Sequence, residues 1–180
     1  VLITLLALLY DYKAKQHAFF GPLTMGLCRA GNLLLGISII PVVLGAAWPM
    51  GLIPILYIGS ITLISQGEVH GGTSKTGYIA SVIVIFVVAA LLALSYLDSY
   101  ELSFAAPFAM LFGGLVLPAF VVAALNPAPE KIKKAVKRGV ISLIVLNSTL
   151  AAGFFGYVAG LVVLALLPLS YLFSRIFAVT

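Results

Sequence analysis

Ionisable and strongly polar side chains gather at three places in this otherwise apolar sequence. The first is the stretch 10–17, where Tyr10 and Lys13 follow a run of leucines. Lysine ammonium groups act as point charges toward phosphate oxygens, so Lys13 and Lys15 together with the Tyr10 phenol could hold a diphosphate. The alternative is structural: tyrosines form aromatic belts at membrane surfaces, and lysines extend their charge into water from a helix end.

The second place is the stretch 28–32, which contains Arg29 and Asn32 inside an apolar segment. These two residues are three apart, so they share one face of a helix, and Gly36 follows on the same side. A guanidinium group does not lose its proton at such a site, so it needs a carboxylate, carbonyl oxygens or an anionic ligand. Either a ligand site or a purely structural pair between helices explains the pattern.

The third place is the glycine-rich stretch 65–75, which combines Gln66, Glu68, His70 and Lys75 with several hydroxyl groups. Glu68 and His70 could bind a divalent ion through oxygen and nitrogen, and magnesium in particular prefers carboxylate oxygens and retains water ligands. The glycines would let a ligand approach the backbone closely. The alternative is a solvated turn in which Glu68 and Lys75 are ordinary surface charges.

The amino-acid composition indicates the environment in which these polar clusters lie. Of the 180 residues 63% are apolar and 8% are charged, and the mean hydropathy is +1.22. Water-soluble domains have about 25% charged residues, so the composition excludes a soluble monomer. The net charge of +5 is dispersed, which argues against nucleic acid as a partner, and the single cysteine excludes an internal disulfide. The membrane lipid is therefore the expected environment.

Membrane-crossing helices need about 20 apolar residues each, because only a helix satisfies its own backbone groups in lipid. The predicted fold is all-α, a polytopic transmembrane helix bundle of about six or seven segments in a single domain, 1–180. A stretch at 140–177 is too long for one crossing and is split near Gly153 and Gly156, or else forms one long helix with a tilted tail. The other predicted segments are 1–10, 20–45, 50–66, 77–97 and 104–125.

Lysine and arginine alternate between the connectors, which predicts a multi-pass topology. The connectors 11–19, 67–76 and 127–139 contain basic residues, whereas 46–49 and 97–101 contain none. Basic connectors favour the cytoplasmic side, so the first group is expected there. In the last connector, 127–139, prolines are expected to break the chain before one or two amphipathic turns. These turns either attract anionic lipid head groups or only anchor the topology.

In order and spacing, these features resemble the UbiA superfamily of intramembrane prenyltransferases. The likeness includes Leu8, Leu9, Tyr10 and Lys13, then the glycine-rich segment 26–36 and the polar stretch 65–72. The last two are closest to the EboC-type branch of the superfamily, and the likeness covers nearly the whole chain.

The resemblance implies a fold of about nine transmembrane helices around a central cavity, in which magnesium and a prenyl diphosphate are held by acidic motifs. It implies Glu68 as a catalytic and metal-binding residue. It also implies that substrate contacts come from the remaining polar positions, namely Tyr10, Lys13, Arg29, Asn32, Gln66, His70 and Lys75. The expected reaction transfers a prenyl group to an aromatic or lipid acceptor.

The sequence departs from that family in its acidic residues. The first acidic motif, of the Asn-Asp-x-x-Asp type, is absent from the 180 residues, and the second retains only Glu68. By order, this chain corresponds to the C-terminal two-thirds of the family fold, so the first three helices are expected upstream. The alternative function is a non-catalytic UbiA-like subunit that binds an isoprenoid, quinone or pigment within a larger membrane complex.

Overall fold

The fold of this chain is all-helical in a computed structural model that describes residues 2–14, 17, 19–39, 45 and 48–176, without the side chains of 171 and 174–176. Apolar composition and few helix-breaking residues within each segment favour these helices. Thr73 caps one of them by accepting a hydrogen bond from the Thr76 amide at 3.2 Å. The helices are α1 Leu2–Tyr12, α2 Phe20–Ile37, α3 Leu52–Ser65, α4 Ser74–Ala93, α5 Leu102–Leu125, α6 Pro129–Phe155, α7 Tyr157–Leu164 and α8 Leu166–Ile176.

The helices α3 to α6 form the central bundle. Each packs on the next, and α6 returns to contact α3. The core between them contains fully buried side chains such as Tyr57, Phe112 and Phe120. The phenol of Tyr57 donates a hydrogen bond to the carbonyl of Gly139 at 2.7 Å, which joins α3 to α6. Outside the bundle, α2 packs on α3, α1 packs on α2, and α7 and α8 pack on α6.

Four helical segments are long and apolar enough to cross a membrane. Their outward side chains are apolar too: Met110 is 75% exposed and Phe86 is 64% exposed, as expected for side chains that face lipid. The helical bundle predicted from composition is therefore present. The four segments are Trp48–Ser65, Ser74–Tyr96, Leu102–Leu125 and Pro129–Phe155.

Two of the predicted boundaries lie at the ends of α6. The break near Gly153 and Gly156 is confirmed, since α6 ends at Phe155 and Gly156 has a φ of 88°, which favours glycine. The amphipathic turns predicted within 127–139 are helical from Pro129 onward, but they continue directly into the apolar part of α6 without a break. In the predicted segment 20–45, positions 40–44 lie outside the described residues, as do positions 15, 16 and 18 of the first connector.

The bundle has two chemically different ends. At one end, the Gly72 amide donates to the Pro127 carbonyl at 3.0 Å, so the loop after α3 contacts the loop before α6. We call this the basic end, because Lys75 and the lysines of α6 adjoin it. At the opposite end, the Glu101 amide donates to the Gly153 carbonyl at 2.8 Å, and the nearby connector 97–101 contains acidic residues and no basic ones.

Candidate functional site

The largest opening described here is a groove between α5 and α6 at the basic end, with a volume of about 550 Å³. Its wall contains four cationic side chains and its floor is apolar, and we call it the basic groove. The cations are Lys131, Lys134, Lys137 and Arg138, and the apolar floor is formed by Pro118, Ala119, Val122, Ala135 and Ile141.

Helical spacing explains why these cations share one wall. Lys131, Lys134 and Arg138 are separated by three and four residues, so they lie on one face of α6. Ile132 and Ala135, on the adjoining face, are 2% and 0% exposed and pack into the bundle, which fixes the rotation of the helix. Lys133 is exposed but does not line the groove. The lysines of this segment are therefore not equivalent, since Lys131, Lys134 and Lys137 line the basic groove and Lys133 does not.

The electrostatics of the basic groove favour an anion. No carboxylate lines it, and within the described part of the chain no ion pair involves its four cations. The neighbouring acidic residue, Glu130, is exposed in the first turn of α6. Unneutralised lysine and arginine side chains at the end of a membrane helix attract the phosphate groups of lipids. The apolar floor below them is suited to a hydrocarbon chain.

A second, smaller cavity of about 220 Å³ lies against the glycine-rich loop of the basic end. Gln66, Gly67, Gly72 and Thr76 contribute to its wall. Gly67 is required for the tight loop, because a Cβ there would lie 2.7 Å from the backbone of Gly72. The loop geometry therefore depends on glycine, as the sequence indicates.

The predicted site residues of that loop do not converge on one point. Gln66 lines the loop cavity, Glu68 is half-buried beside it, and His70 and Lys75 are exposed, with Lys75 in the first turn of α4. The described residues contain no group of three His, Cys, Asp or Glu side chains that could hold a metal ion. Glu68 and His70 would therefore supply at most two protein ligands to a magnesium ion, and the others would have to come from water or substrate phosphate.

Arg29 and Asn32 line a third opening, of about 210 Å³, between α2 and α6 over the first turn of α3. Asn147 of α6 faces them across it, and the rest of the wall is apolar; we call it the mid-membrane cleft. The apolar lining consists of Leu33, Pro54, Leu143, Leu146 and Leu150. Sequence reasoning did not pair Asn147 with Arg29, since 118 positions separate them.

The clusters predicted to share a cavity lie at different depths. Pro54 in the cleft and Ile64 in the loop cavity are ten residues apart on α3, which is about 15 Å along the axis. Tyr10 and Lys13 lie at the end of α1, whose packing partner is α2. The structure thus brings Arg29 together with Asn32, but brings neither to Glu68 or Gln66.

Ser148 and Thr149 near the C-terminal end of α6, and Tyr100 at the end of the bundle opposite the basic end, make structural contacts. Ser148 donates a hydrogen bond to the Gly160 carbonyl of α7, whereas Thr149 donates to the Val145 carbonyl within α6 at 2.9 Å. At the opposite end, burial raises the pKa of Tyr100 to about 12. Its ring packs on Phe154 and against Gly153, so this end is tightly closed.

The sequence predicted that the basic turns at 131–138 either attract anionic lipid head groups or anchor the topology, but it did not predict the groove that they form with α5. Their spacing of three and four residues on one helical face, directly before an apolar run, is the signal that could have located it. Comparisons of this chain with family models, with curated proteins and with solved structures found no match. The groove, the loop cavity and the cleft therefore have to be interpreted from their own chemistry.

Proposed function

We propose that this chain is part of a multi-pass membrane protein that binds an anionic amphiphile, with a phosphate or diphosphate head and a long apolar tail, in the basic groove. The observation that carries the proposal is the arrangement of four cations above an apolar floor between two membrane helices. We also propose that the basic end faces the cytoplasm, as the bias of basic residues in membrane proteins favours.

The dimensions of the groove match such a ligand. From Lys131 to Ile141 the wall extends ten residues along α6, or about 15 Å. The cations occupy the part near the helix end, where water and lipid head groups meet, and the apolar residues Pro118 and Ile141 lie deeper. Each cation near an anionic head group contributes about 1 kcal/mol, so the four together favour a phosphate ester strongly over a neutral lipid.

A prenyl diphosphate is one member of this ligand class, and it is the donor substrate that the resemblance to UbiA prenyltransferases implies. Prenyl transfer is proposed on that resemblance, with Glu68 as the catalytic residue and Gln66, His70 and Lys75 near the head group. A non-catalytic subunit that holds an isoprenoid within a larger membrane complex needs only the groove. The two proposals differ in whether Glu68 and magnesium affect the ligand.

The test of binding uses the full chain in nanodiscs of phosphatidylcholine, with radiolabelled farnesyl diphosphate and subtraction of binding to empty nanodiscs. Lys134→Gln removes a cation of the groove, and Lys133→Gln removes an identical charge one residue away, outside it. We expect Lys134→Gln to weaken binding about fivefold, since roughly 1 kcal/mol is lost, and Lys133→Gln to leave it nearly unchanged. Equal effects of the two variants would contradict the groove as the binding site.

Two competitors separate the contributions of head and tail. Inorganic diphosphate has the charge without the tail, and farnesol has the tail without the charge. We expect dioleoyl phosphatidic acid to displace farnesyl diphosphate, and each isolated half to displace it poorly. Full displacement by inorganic diphosphate alone would contradict a role for the apolar floor.

The catalytic part of the proposal is tested by repeating the titration with and without magnesium, in the native chain and in Glu68→Gln. A prenyltransferase site predicts that magnesium tightens binding and that Glu68→Gln abolishes this gain. Binding that ignores both magnesium and the substitution favours the non-catalytic subunit.

A further inference from the structure

The mid-membrane cleft places a permanent positive charge on the outer surface of the helices at hydrocarbon depth. Asn147 lies nine residues beyond Arg138 on α6, about 14 Å along the axis, and Phe155 lies eight residues further, about 12 Å. The hydrocarbon core of a bilayer is about 30 Å thick. With the basic residues at one surface, the cleft therefore lies close to the middle of the membrane.

Arg29 has no countercharge in the structure. The side chain is exposed, and across the described residues neither a hydrogen bond nor an ion pair engages it. A guanidinium group stays ionised even in lipid, and an unpaired charge at that depth is strongly unfavourable. The geometry thus requires a partner group at this position in the membrane.

The acidic residues of this sequence are all placed elsewhere. There are five of them, and each lies at a helix end or in a connector. Asp11 is in the last turn of α1, Glu130 in the first turn of α6, and the others are Glu68, Asp98 and Glu101. The countercharge for Arg29 is therefore expected from outside these helices.

The shape of the cleft favours a side chain over a lipid head group. Its volume of about 210 Å³ corresponds to about seven water molecules in the liquid, which accommodates one or two side chains. The carboxamides of Asn32 and Asn147 flank the guanidinium and can donate hydrogen bonds to a second acceptor oxygen. Phosphate head groups are located at the membrane surface, about half a bilayer away from this depth.

The exposed face of α2 also allows another helix to approach. Gly36 lies on the same side as Arg29 and Asn32, and a Cβ at Gly36 would meet nothing within 4 Å. Small residues on such a face let two helix backbones pack closely in lipid. We propose that the mid-membrane cleft is a docking site for a transmembrane helix that carries a carboxylate at mid-membrane depth, with Arg29 as its ion-pair partner.

The test measures association between the full chain and a designed probe peptide by energy transfer in phosphatidylcholine vesicles. The probe is a leucine-alanine transmembrane helix with one central Glu, and its matched control has Gln at that position. We expect the Glu peptide to bind about tenfold more tightly than the Gln peptide, and Arg29→Gln to remove that preference. Lys133→Gln, which removes an exposed charge at the basic end outside the basic groove, should leave the preference intact.

A variant of the cleft and a change of lipid composition test whether a helix or a lipid head group occupies the cleft. Asn147→Leu alters the cleft from α6 without changing the charge, and we expect it to reduce the preference for the Glu peptide about threefold. Replacing a third of the lipid by phosphatidylglycerol should leave the preference unchanged. Equal binding of the two peptides, a preference that survives Arg29→Gln, or loss of the preference in phosphatidylglycerol each overturns the proposal, the last because a lipid head group would then occupy the cleft.

Discussion

The basic groove and the mid-membrane cleft both present cations, yet they differ in depth, in number of charges and in freedom of access. The groove has four exposed cations at the basic end of the bundle. The cleft has one arginine flanked by two asparagines at the middle of the span. The same kind of charge therefore predicts a mobile phosphate ligand at the surface and a fixed carboxylate in the interior of the membrane.

The depth of a cation in the membrane determines which anion it binds. Toward the middle of the bilayer, screening by water and salt decreases and the cost of leaving a charge unpaired increases. At the surface, each lysine attracts an anion by about 1 kcal/mol and several act together. At mid-membrane depth a single arginine interacts strongly with one well-placed partner, since neither water nor salt competes.

Neutralising the whole groove should have the largest effect. The combined variant Lys131→Gln, Lys134→Gln, Lys137→Gln and Arg138→Gln removes about 4 kcal/mol of attraction, so farnesyl diphosphate binding should weaken roughly a thousandfold. Arg29→Gln should leave that binding within twofold of the native chain. The measurement is the radioligand titration in nanodiscs, and a large loss with Arg29→Gln would remove the distinction between the two regions.

Displacing α2 should disrupt the cleft but not the groove. Gly26 packs against α3 so closely that a Cβ would lie 2.9 Å from the Ile55 backbone. Gly26→Leu is expected to destabilise the protein by about 1–3 kcal/mol through overpacking and to abolish the preference for the Glu peptide. Thermal unfolding in detergent and the peptide assay measure this.

Gly36→Ala is the matched control for that substitution. A Cβ at Gly36 meets nothing, so stability should be unchanged or slightly raised, since alanine favours helix. Loss of stability with Gly36→Ala as large as with Gly26→Leu would contradict the packing of α2 on α3.

Added salt is expected to weaken ligand binding in the basic groove more than peptide binding in the mid-membrane cleft. Raising NaCl from 0.1 to 0.5 M is expected to weaken farnesyl diphosphate binding roughly tenfold, because exposed charges are screened. Association of the Glu peptide should change less than twofold, because its ion pair is surrounded by hydrocarbon. Similar salt dependence in both assays would place the two sites at the same depth.

The smallest effect is expected from Tyr57→Phe, which removes the hydrogen bond to Gly139 between α3 and α6. Hydrogen bonds between membrane helices contribute about 0.6 kcal/mol on average, so the midpoint of unfolding should fall slightly. Both binding assays should be unaffected. Loss of binding in either would mean that the bond, rather than the local residues, determines the site.

Local sequence signals predicted much of the fold. Apolar runs indicated the segments near 50–66, 77–97 and 104–125, and the glycines at 153 and 156 indicated the end of α6. The helical turns at 130–138 were predicted, but not their continuity with the apolar segment from 140, because lysines in a membrane sequence resemble a connector. Yet Pro129 begins a helix well, and exposed lysines at its first turns face the membrane surface.

The sites were less predictable, since they depend on packing between distant segments. Arg29 and Asn32 were singled out because a charge in an apolar segment is costly, but Asn147 joins them only once α2 and α6 both pack on α3. The expectation of one shared cavity with Glu68 depended on the resemblance, and α3 separates the two levels by about 15 Å.

The most direct test of the basic groove as the binding site is to locate the bound amphiphile by photo-crosslinking. Benzoylphenylalanine replaces Val122 on the floor of the groove, or Met110, which faces lipid near the opposite end of α5, in the full chain in nanodiscs. We expect labelling by radioactive farnesyl diphosphate at 122, competed by dioleoyl phosphatidic acid, with little labelling at 110. Equal labelling at the two positions, or labelling at 122 that the combined lysine and arginine variant does not reduce, would contradict the groove as the binding site.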